Sequence, residues 1–550
     1  MTGVQDPRSL PTLVDLMIWR GQAQGDRVAL THLDWGEEIA DQSSYAALDR
    51  QARAVAGCLT AAGLRGRPVM ICLPSGLDFV RVLLGCLYAG AVAAPAPGPE
   101  SRRGVDRAVS MIRDFRPEAV VLPPGPLPPA LAEALPPTCL RISPAEALAG
   151  APSALPVRPV PDDIAFVQYT SGSLGSPRGI VITHRNIMAN EAMIAAAFGH
   201  QPGQVGVNWL PLHHDMGLCG SILQALYIGG CCHSMSPLSF LQRPVRWLQA
   251  ISRLGATTSG GPTFAFELCA RQISDAALSG LDLSGWTVAY CGSEPIRPAA
   301  LSGFASRFSG AGFDARAFLP CYGMAEATLF ATGQPRGSGL RIRQLATPSV
   351  SCGGPVLDGR IAILDPGDAM LPDGASGEIA IAGPHVSPGF WDAATGAALP
   401  DPAREVWHEG RRYLRTGDIG TQIAGDLHVL GRSRDLIILR GAKIHAEDVE
   451  ATALSDTAAQ VAAAAAFAVA QPQGEHLIVI CEGPRAAGAP QAAAAIAARI
   501  GEVHGILPHR VLFVRAGAIP RAANGKIRRA ACRDAYLEGR LATTRNGESA

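Results

Sequence analysis

The stretch Ile164-Ala-Phe-Val-Gln-Tyr-Thr-Ser-Gly-Ser-Leu-Gly-Ser-Pro-Arg-Gly-Ile-Val-Ile-Thr183 sets two apolar runs, Ile164–Tyr169 and Gly179–Thr183, on either side of a loop of small residues. Each run is short and bounded by turn formers, which reads as a buried strand. A loop of this composition can wrap a phosphate, because Gly172 and Gly175 admit backbone conformations that aim N–H groups inward. Thr170, Ser171 and Ser173 add hydroxyl donors, and Arg178 adds a positive charge. No Gly-Lys-Ser/Thr opens a helix after it, so the loop is not a Walker A motif. An ordinary hairpin has the same residues, and the decision rests on what lies further along the chain.

Upstream of the loop, strand-like and helix-like stretches alternate. A helix, a short strand pair near Val28–Leu33 and a second helix fill residues 13–53, and Val69–Leu73 reads as a buried strand followed by a helix to Ala89. Alternation of this kind implies an α/β fold with parallel sheets. At 550 residues two or more domains are expected. Lysine plus arginine equal aspartate plus glutamate at 47 each, with no basic stripe, which argues against a nucleic-acid partner. No apolar run is long enough to span a membrane, the longest candidate being the alanine-rich Val461–Ala470, and no signal peptide is read at the N-terminus. The 13 cysteines contain no Cys-x-x-Cys pair and read as reduced core residues of a cytoplasmic protein. Lysine occurs only at Lys443 and Lys526, so a retained lysine marks a place where a slim ammonium serves and a guanidinium fork does not.

Downstream, Asn208–Leu218 reads Asn-Trp-Leu-Pro-Leu-His-His-Asp-Met-Gly-Leu. Adjacent His213 and His214 do not share a helical face and have no obvious third ligand beside Asp215, so a metal site is disfavoured. His214 reads better as a flat wall between a phosphate site and a tunnel. Residues 256–263, with Ser259, Gly260 and Gly261, end a strand in small residues that leave room for a ligand. Ser293 and Glu294 follow another strand that breaks at Gly292. Tyr322-Gly-Met-Ala-Glu326 offers an aromatic face for a purine, a tight glycine and a carboxylate for Mg²⁺. Arg415-Thr-Gly-Asp418 offers a carboxylate for both hydroxyls of a ribose. In this order the motifs describe an ATP site built from dispersed strand-end loops.

On these residues, from about Ser9 to about Leu541, the chain resembles the adenylate-forming superfamily of acyl-CoA synthetases, luciferases and peptide-synthetase adenylation domains. It is most like the fatty acyl-AMP ligases, through the Ser236-Pro-Leu-Ser-Phe-Leu-Gln-Arg-Pro244 run and the Ala325-Glu-Ala-Thr-Leu329 ending. The resemblance implies a large N-terminal domain, residues 1–431, of stacked mixed β-sheets with helices and a β-barrel-like part. It implies a small mobile α+β domain, residues 432–550, joined through a hinge that pivots at Arg434. Residues 170–175 would cradle phosphates, and Thr170 and Glu326 would position Mg²⁺. Ser293, Glu294, Tyr322, Gly323 and Met324 would form the adenine side, with Asp418 and Arg432 on the ribose. Asp215, Gly217, His214, Ser259, Gly260, Gly261 and Met324 would line the acyl side, and Lys526 would be the catalytic lysine.

The implied activity is ATP-dependent activation of a carboxylic acid, then transfer to the phosphopantetheine thiol of an acyl carrier protein, with coenzyme A as the alternative acceptor. Three departures from the family pattern stand out: Leu174 replaces the usual threonine, Arg178 replaces lysine, and residues 330–349 are too few for the insertion that fatty acyl-AMP ligases usually carry there. That insertion is linked to refusal of coenzyme A. An amino-acid substrate is disfavoured because no Phe-Asp-x-Ser pattern supplies an aspartate for an α-ammonium. A binding homologue without catalysis would have lost the lysine or the metal carboxylate, and Lys526 and Glu326 are both present.

Overall fold

The computed structural model describes residues 6–152, 158–169, 177–345, 348–432, 436–439, 442–455, 461–471, 474–483, 489–504, 506–521 and 527–541. The loop residues Thr170, Ser171, Gly172, Ser173 and Gly175, the hinge residue Arg434 and Lys526 lie outside the described residues.

Ile164–Tyr169 and Gly179–Thr183 are antiparallel strands with Tyr169 opposite Gly179. They sit inside an eight-stranded sheet. Val92–Pro97, Pro68–Leu73, Ala119–Val121 and Leu140–Ile142 continue it on one side, and Phe390–Asp392 and Ala397–Leu399 on the other. Val92–Pro97 is buried at every residue and Pro68–Leu73 almost so, as expected of parallel strands covered on both faces.

A second eight-stranded sheet runs Phe330–Gly333, Phe318–Gly323, Val288–Cys291, Thr258–Gly261, Val205–Asn208, Cys231–Met235, Val28–Asp34 and Glu38–Ser44. Its middle is parallel and its two edges are antiparallel. Helix His184–Phe198 starts from a Thr183–Asn186 capping box and crosses from the first sheet to the second, where Asn190 Nδ2 donates to Phe330 O at 2.7 Å. One apolar core joins the layers: Ile71, Phe166 and Ile180 of the first sheet share it with Leu30 and Cys232 of the second.

The part expected to be barrel-like is an open antiparallel sheet of five strands in the described pairings. Arg360–Leu364 pairs with Ser376–Ala382, which pairs with the 13-residue strand Arg411–Ile423. The far edge of that long strand holds Glu405–His408 along one half and Asp426–Arg432 along the other.

The smaller C-terminal domain has its own core. Hairpin Leu436–Leu439/Ala442–His445 leads to helix Ala446–Leu454, and the three strands Ala463–Gln471, Gly474–Glu482 and Arg510–Val514 carry helices Ala489–His504 and Arg529–Leu537. The alanine-rich run near Val461 is thus a sheet strand. No helix among the described residues is long and apolar enough to cross a membrane. The 13 cysteines are all unpaired. The described residues within 330–349 include the strand Phe330–Gly333 and part of the antiparallel pair Ile342–Gln344/Pro348–Val350.

Candidate active site

Both ends of the small-residue loop are tied to neighbouring elements. At its start, Tyr169 O accepts from Arg107 Nη2 at 2.9 Å, and the Tyr169 hydroxyl donates to Asp114 Oδ2 at 2.6 Å. Gln168, one residue earlier, donates to His213 O at 2.9 Å, which fixes the His213-His214-Asp215 segment beside the loop. At the far end, the Arg178 guanidinium lies 4.2 Å from the Phe390 ring centre. Arg404 approaches the same ring at 6.0 Å, and its Nη1 holds Glu326 Oε1 at 2.9 Å. The loop exit and the Glu326 carboxylate are thereby brought to one place through a single aromatic ring.

Arg404 also donates to Arg415 O through Nε and Nη2, at 3.1 and 2.9 Å. Arg415 itself is clasped by Asp368 and Glu378, and Gly417, at φ +77°, turns its N–H to Glu378 Oε1 at 3.0 Å. This turn presents Asp418. Its backbone N–H donates to Thr416 Oγ1, its Oδ2 accepts from the Tyr322 hydroxyl at 2.7 Å, and its Oδ1 lies 3.2 Å from Arg432 Nε. Asp418 and Arg432 are direct cross-strand partners. Burial, with the Asp418 charge next, pushes the Tyr322 phenol well above its ordinary range, so it stays a donor.

Gly323 makes the tight step after Tyr322: a Cβ there would lie 1.7 Å from Leu329 O, which forbids any other residue. Ser293 holds φ +69° and Thr328 φ +65°, backbone conformations that non-glycine residues seldom adopt and that cluster at functional sites. Thr328 Oγ1 offsets its strain by donating to His385 O at 2.8 Å.

A cavity opens beside this group, lined by Asp215, Ser293, Tyr322 and Gly323 at its polar side. Its other walls are Ile194, Phe198, Met216, Gly220, Leu329 and Phe330, with Tyr290 and Cys321 on the sheet. Phe198 stacks on Tyr290 at 5.9 Å and meets Phe330 edge-on at 5.9 Å. The mix of apolar walls with a few convergent polar groups suits a small-molecule site.

Not every residue expected at the site faces it. Glu294 accepts the Phe264 N–H at 2.8 Å, at the start of helix Thr263–Gln272. Ser259 is turned into the core, accepting from Trp247 Nε1 at 2.8 Å and donating to Val207 O at 2.6 Å. The room expected at Gly260 and Gly261 is filled: a Cβ would meet Tyr290 O at 2.1 Å and the Trp209 ring at 2.7 Å. Gly217 packs against Pro211 O in the same way. Half-buried Met324 has its sulfur 3.9 Å from the Tyr322 hydroxyl. The rings of His213 and half-buried His214 are 4.6 Å apart, and burial together with Arg107 lowers His213 to about 3, so it is neutral. Among the described residues no group of three or more His, Cys, Asp or Glu could hold a metal. A magnesium ion bound through one carboxylate and substrate phosphates needs no such cluster, and the donor chemistry of Glu326 fits it.

Arg107, Arg404 and the Phe390 ring were not among the expected site residues. Arg404 sits in an irregular Pro-Ala-Arg turn and Arg107 midway along helix Arg102–Phe115, where neither periodicity nor motif singles them out.

Residues 18–391 match the family described as AMP-binding enzyme, and residues 434–546 match the Disco-interacting protein 2-like AMP domain. Over 96% of its length the chain is 32% identical to the medium-chain-fatty-acid–[acyl-carrier-protein] ligase TtuA of Teredinibacter turnerae, covering 94% of that protein. It is 33% identical to the ligase JamA of Moorena producens, which carries the same description, over 96% of both chains. A solved structure from a study of fatty acyl-adenylate ligases of E. coli and L. pneumophila superimposes with a TM-score of 0.86 at 30% identity, covering 97% of this chain and 98% of the other.

Proposed function

The chain belongs to the AMP-binding, adenylate-forming enzyme family, and from that premise we propose that it activates a fatty acid with ATP and passes the acyl group to an acyl carrier protein. The observation that carries the reading is a single cavity with a nucleotide-type side and an acyl-type side. Tyr322, Ser293 and Gly323 stand at one side, next to the Asp418–Arg432 pair, and Phe198, Leu329 and Phe330 at the other. The carrier protein as acceptor follows the described activities of TtuA and JamA.

In the reaction so assigned, a carboxylate oxygen of the acid bonds to the α-phosphorus of ATP and the bond to the β-phosphate oxygen breaks, releasing pyrophosphate. Catalysis is mostly alignment and neutralisation of charge on the transferring group. Asp418, with Tyr322 and Arg432 fixing its two oxygens, accepts the ribose hydroxyls. Tyr322 presents its ring to the adenine. Residues 170–175 donate to the phosphates, and Arg404 holds the Glu326 carboxylate in place. Glu326 and Thr170 would hold Mg²⁺, which when bound would supply further neutralisation of phosphate charge. Lys526 brings a compact cation on the small domain and leaves with it before the thiol arrives. The thiol then attacks the acyl-adenylate carbonyl carbon and AMP departs. The domain boundary at residues 431/432 and the pivot at Arg434 belong to the same proposal, as does a cytoplasmic location.

Pyrophosphate release in the presence of ATP, Mg²⁺ and a panel of fatty acids tests it. Acid-dependent release with formation of acyl-AMP is the expected result. Nucleotide binding with no acid-dependent turnover would identify a binding protein instead.

A further inference from the structure

Tyr290 borders two cavities. It is buried within strand Val288–Cys291 and lines both the site cavity described above and a second one. The second cavity lies under the π-helical turn Leu218–Leu223 and helix Gln224–Ile228, against strands Val205–Asn208 and Cys231–Met235. Among the described residues, Gly220 is the other one common to both linings, and it has no side chain to divide them. The partition is therefore the Tyr290 ring.

That ring is held on three sides. Its face stacks on Phe198, 5.9 Å from centre to centre, and Phe198 lines the site cavity alone. Its hydroxyl shares a hydrogen bond of 3.0 Å with Ser221, which lines the second cavity alone. Gly260 on the neighbouring strand presses against it, since a Cβ there would lie 2.6 Å from the ring. A buried aromatic side chain packed in this way acts as a wall and not as a swinging gate. Beyond it, Val205, Val207, Ala225 and Ile228 offer apolar surface. The polar groups there are spent on one another. His200 lies 3.1 Å from Thr258 Oγ1 and 3.0 Å from the Gln224 amide, whose other end meets Glu191. An apolar tail in that space would break none of these hydrogen bonds and would bury its methylenes.

We propose that Tyr290 determines which acid length the enzyme accepts: its ring is the end wall at which the acyl tail stops, and it closes off a second apolar chamber that a longer tail would otherwise occupy. The inference rests on the acyl-activating reading above. A tail whose methyl group just reaches the ring has Phe198, Leu329 and Phe330 along its length. One further methylene has to displace a ring already packed against Phe198 and Gly260, and close-packed interiors resist such overfilling.

The test is pyrophosphate release from a graded series of straight-chain saturated acids. Wild-type kcat/KM should fall by about 10- to 200-fold at the first methylene beyond the longest acid that fits. Tyr290→Ala should move that fall to longer acids, and adding Ala225→Leu, which refills the second cavity, should move it back. Tyr290→Phe keeps the ring and loses only the hydroxyl, so it should keep the wild-type limit. Tyr290→Leu gives the same readout through a smaller opening should Tyr290→Ala fail to fold. A folded Ala or Leu variant with the wild-type limit overturns the inference and leaves acyl activation standing. So do a wild-type profile without a length limit, an extension that Ala225→Leu does not reverse, and a Tyr290→Phe limit displaced as far as that of Tyr290→Ala. No release with any acid overturns the activity itself and the inference with it.

Discussion

Removing the Asp418 carboxylate strands two donors at once, the buried Tyr322 hydroxyl at 2.7 Å and the Arg432 guanidinium at 3.2 Å. Asp418→Ala should therefore raise the KM for ATP by about ten- to hundredfold, the range for hydrogen bonds to a charged group. The order of preference among acids should not move, because the acyl walls lie elsewhere. A changed acid preference in this variant would show that the nucleotide and acyl sides have been exchanged. Lys526→Ala should lower the adenylation rate by about 10²–10³, the effect of one transition-state charge, with ATP binding nearly unchanged. Near-wild-type adenylation by that variant would remove Lys526 from the mechanism. That Tyr322, Asp418 and Arg432 belong together was legible in the sequence, because the proposed purine face and ribose acceptor need particular residue types inside short motifs, and the fold does bring the three side chains into contact. Arg404 was not, since it acts through backbone and carboxylate contacts that only folding brings together. Ser259, Gly260 and Gly261 mislead for a related reason: small residues mark a close approach, but the sequence does not say whether a ligand or a Trp209 ring comes close.

Among the elements, those with plain apolar runs were readable: the strands flanking the phosphate-type loop, and the buried strand read at Val69–Leu73 and found at Pro68–Leu73. The pairing around Arg411–Ile423 was not, because one long strand holding two partners in succession leaves no local sign in the sequence. In the small domain, helix Arg529–Leu537 is fastened by its first residue. Arg529 grips Glu450 through Nε and Nη2 at 2.7 and 2.6 Å and reaches Glu447 at 3.2 Å, while Glu450 also accepts the Ala466 N–H. Cutting one partner from a buried pair costs about 3–5 kcal/mol, because the other charge is left without compensation. Arg529→Met should lower the stability of the small domain by about 3 kcal/mol in urea melts, and the double variant with Glu450→Met should recover part of it. An unchanged melt in the single variant would mean that the clasp is ornamental. Nearby, the segment bearing Lys526 is pinned at its base: Arg521 bridges Ile527, Arg528 N donates to Pro520 O at 2.8 Å, and the Ile519 N–H donates to buried Glu482 at 2.8 Å.

Across the whole molecule, acid should destabilise the fold before it touches most carboxylates. Burial lowers His184 and His385 to about 4 and His200 and His213 to about 3, against an ordinary value of 6.5. Below about pH 6.5 the unfolded chain takes protons that these folded histidines refuse, so stability falls as pH drops toward about 4, by about 1.4 kcal/mol per unit for each. Glu191 works in the opposite sense, being one carboxyl against four imidazoles. The urea midpoint should be lower at about pH 5 than at about pH 7, and an equal or higher value would refute the assignment. The thiol acceptor also depends on the whole molecule, since it needs both domains. The sequence leaves just residues 330–349 for a restraining insertion, and those of them that are described give a strand and the start of a small hairpin, which favours coenzyme A. Against this, coenzyme A requires cations for its 3′-phosphate and diphosphate. Arg529, the obvious small-domain candidate, is already held by Glu450 and Glu447, which leaves exposed Arg528 beside it. A carrier protein needs no such contacts at the thiol, because it brings the arm on a docking surface of its own. A phosphopantetheinylated carrier should therefore be loaded much faster than coenzyme A at equal concentration, and Arg528→Ala should depress the residual coenzyme A reaction more than carrier loading. Mass spectrometry of both products from one mixture decides it: acyl-CoA as the main product would make the enzyme an acyl-CoA ligase, and would require a phosphate-binding cation other than Arg529.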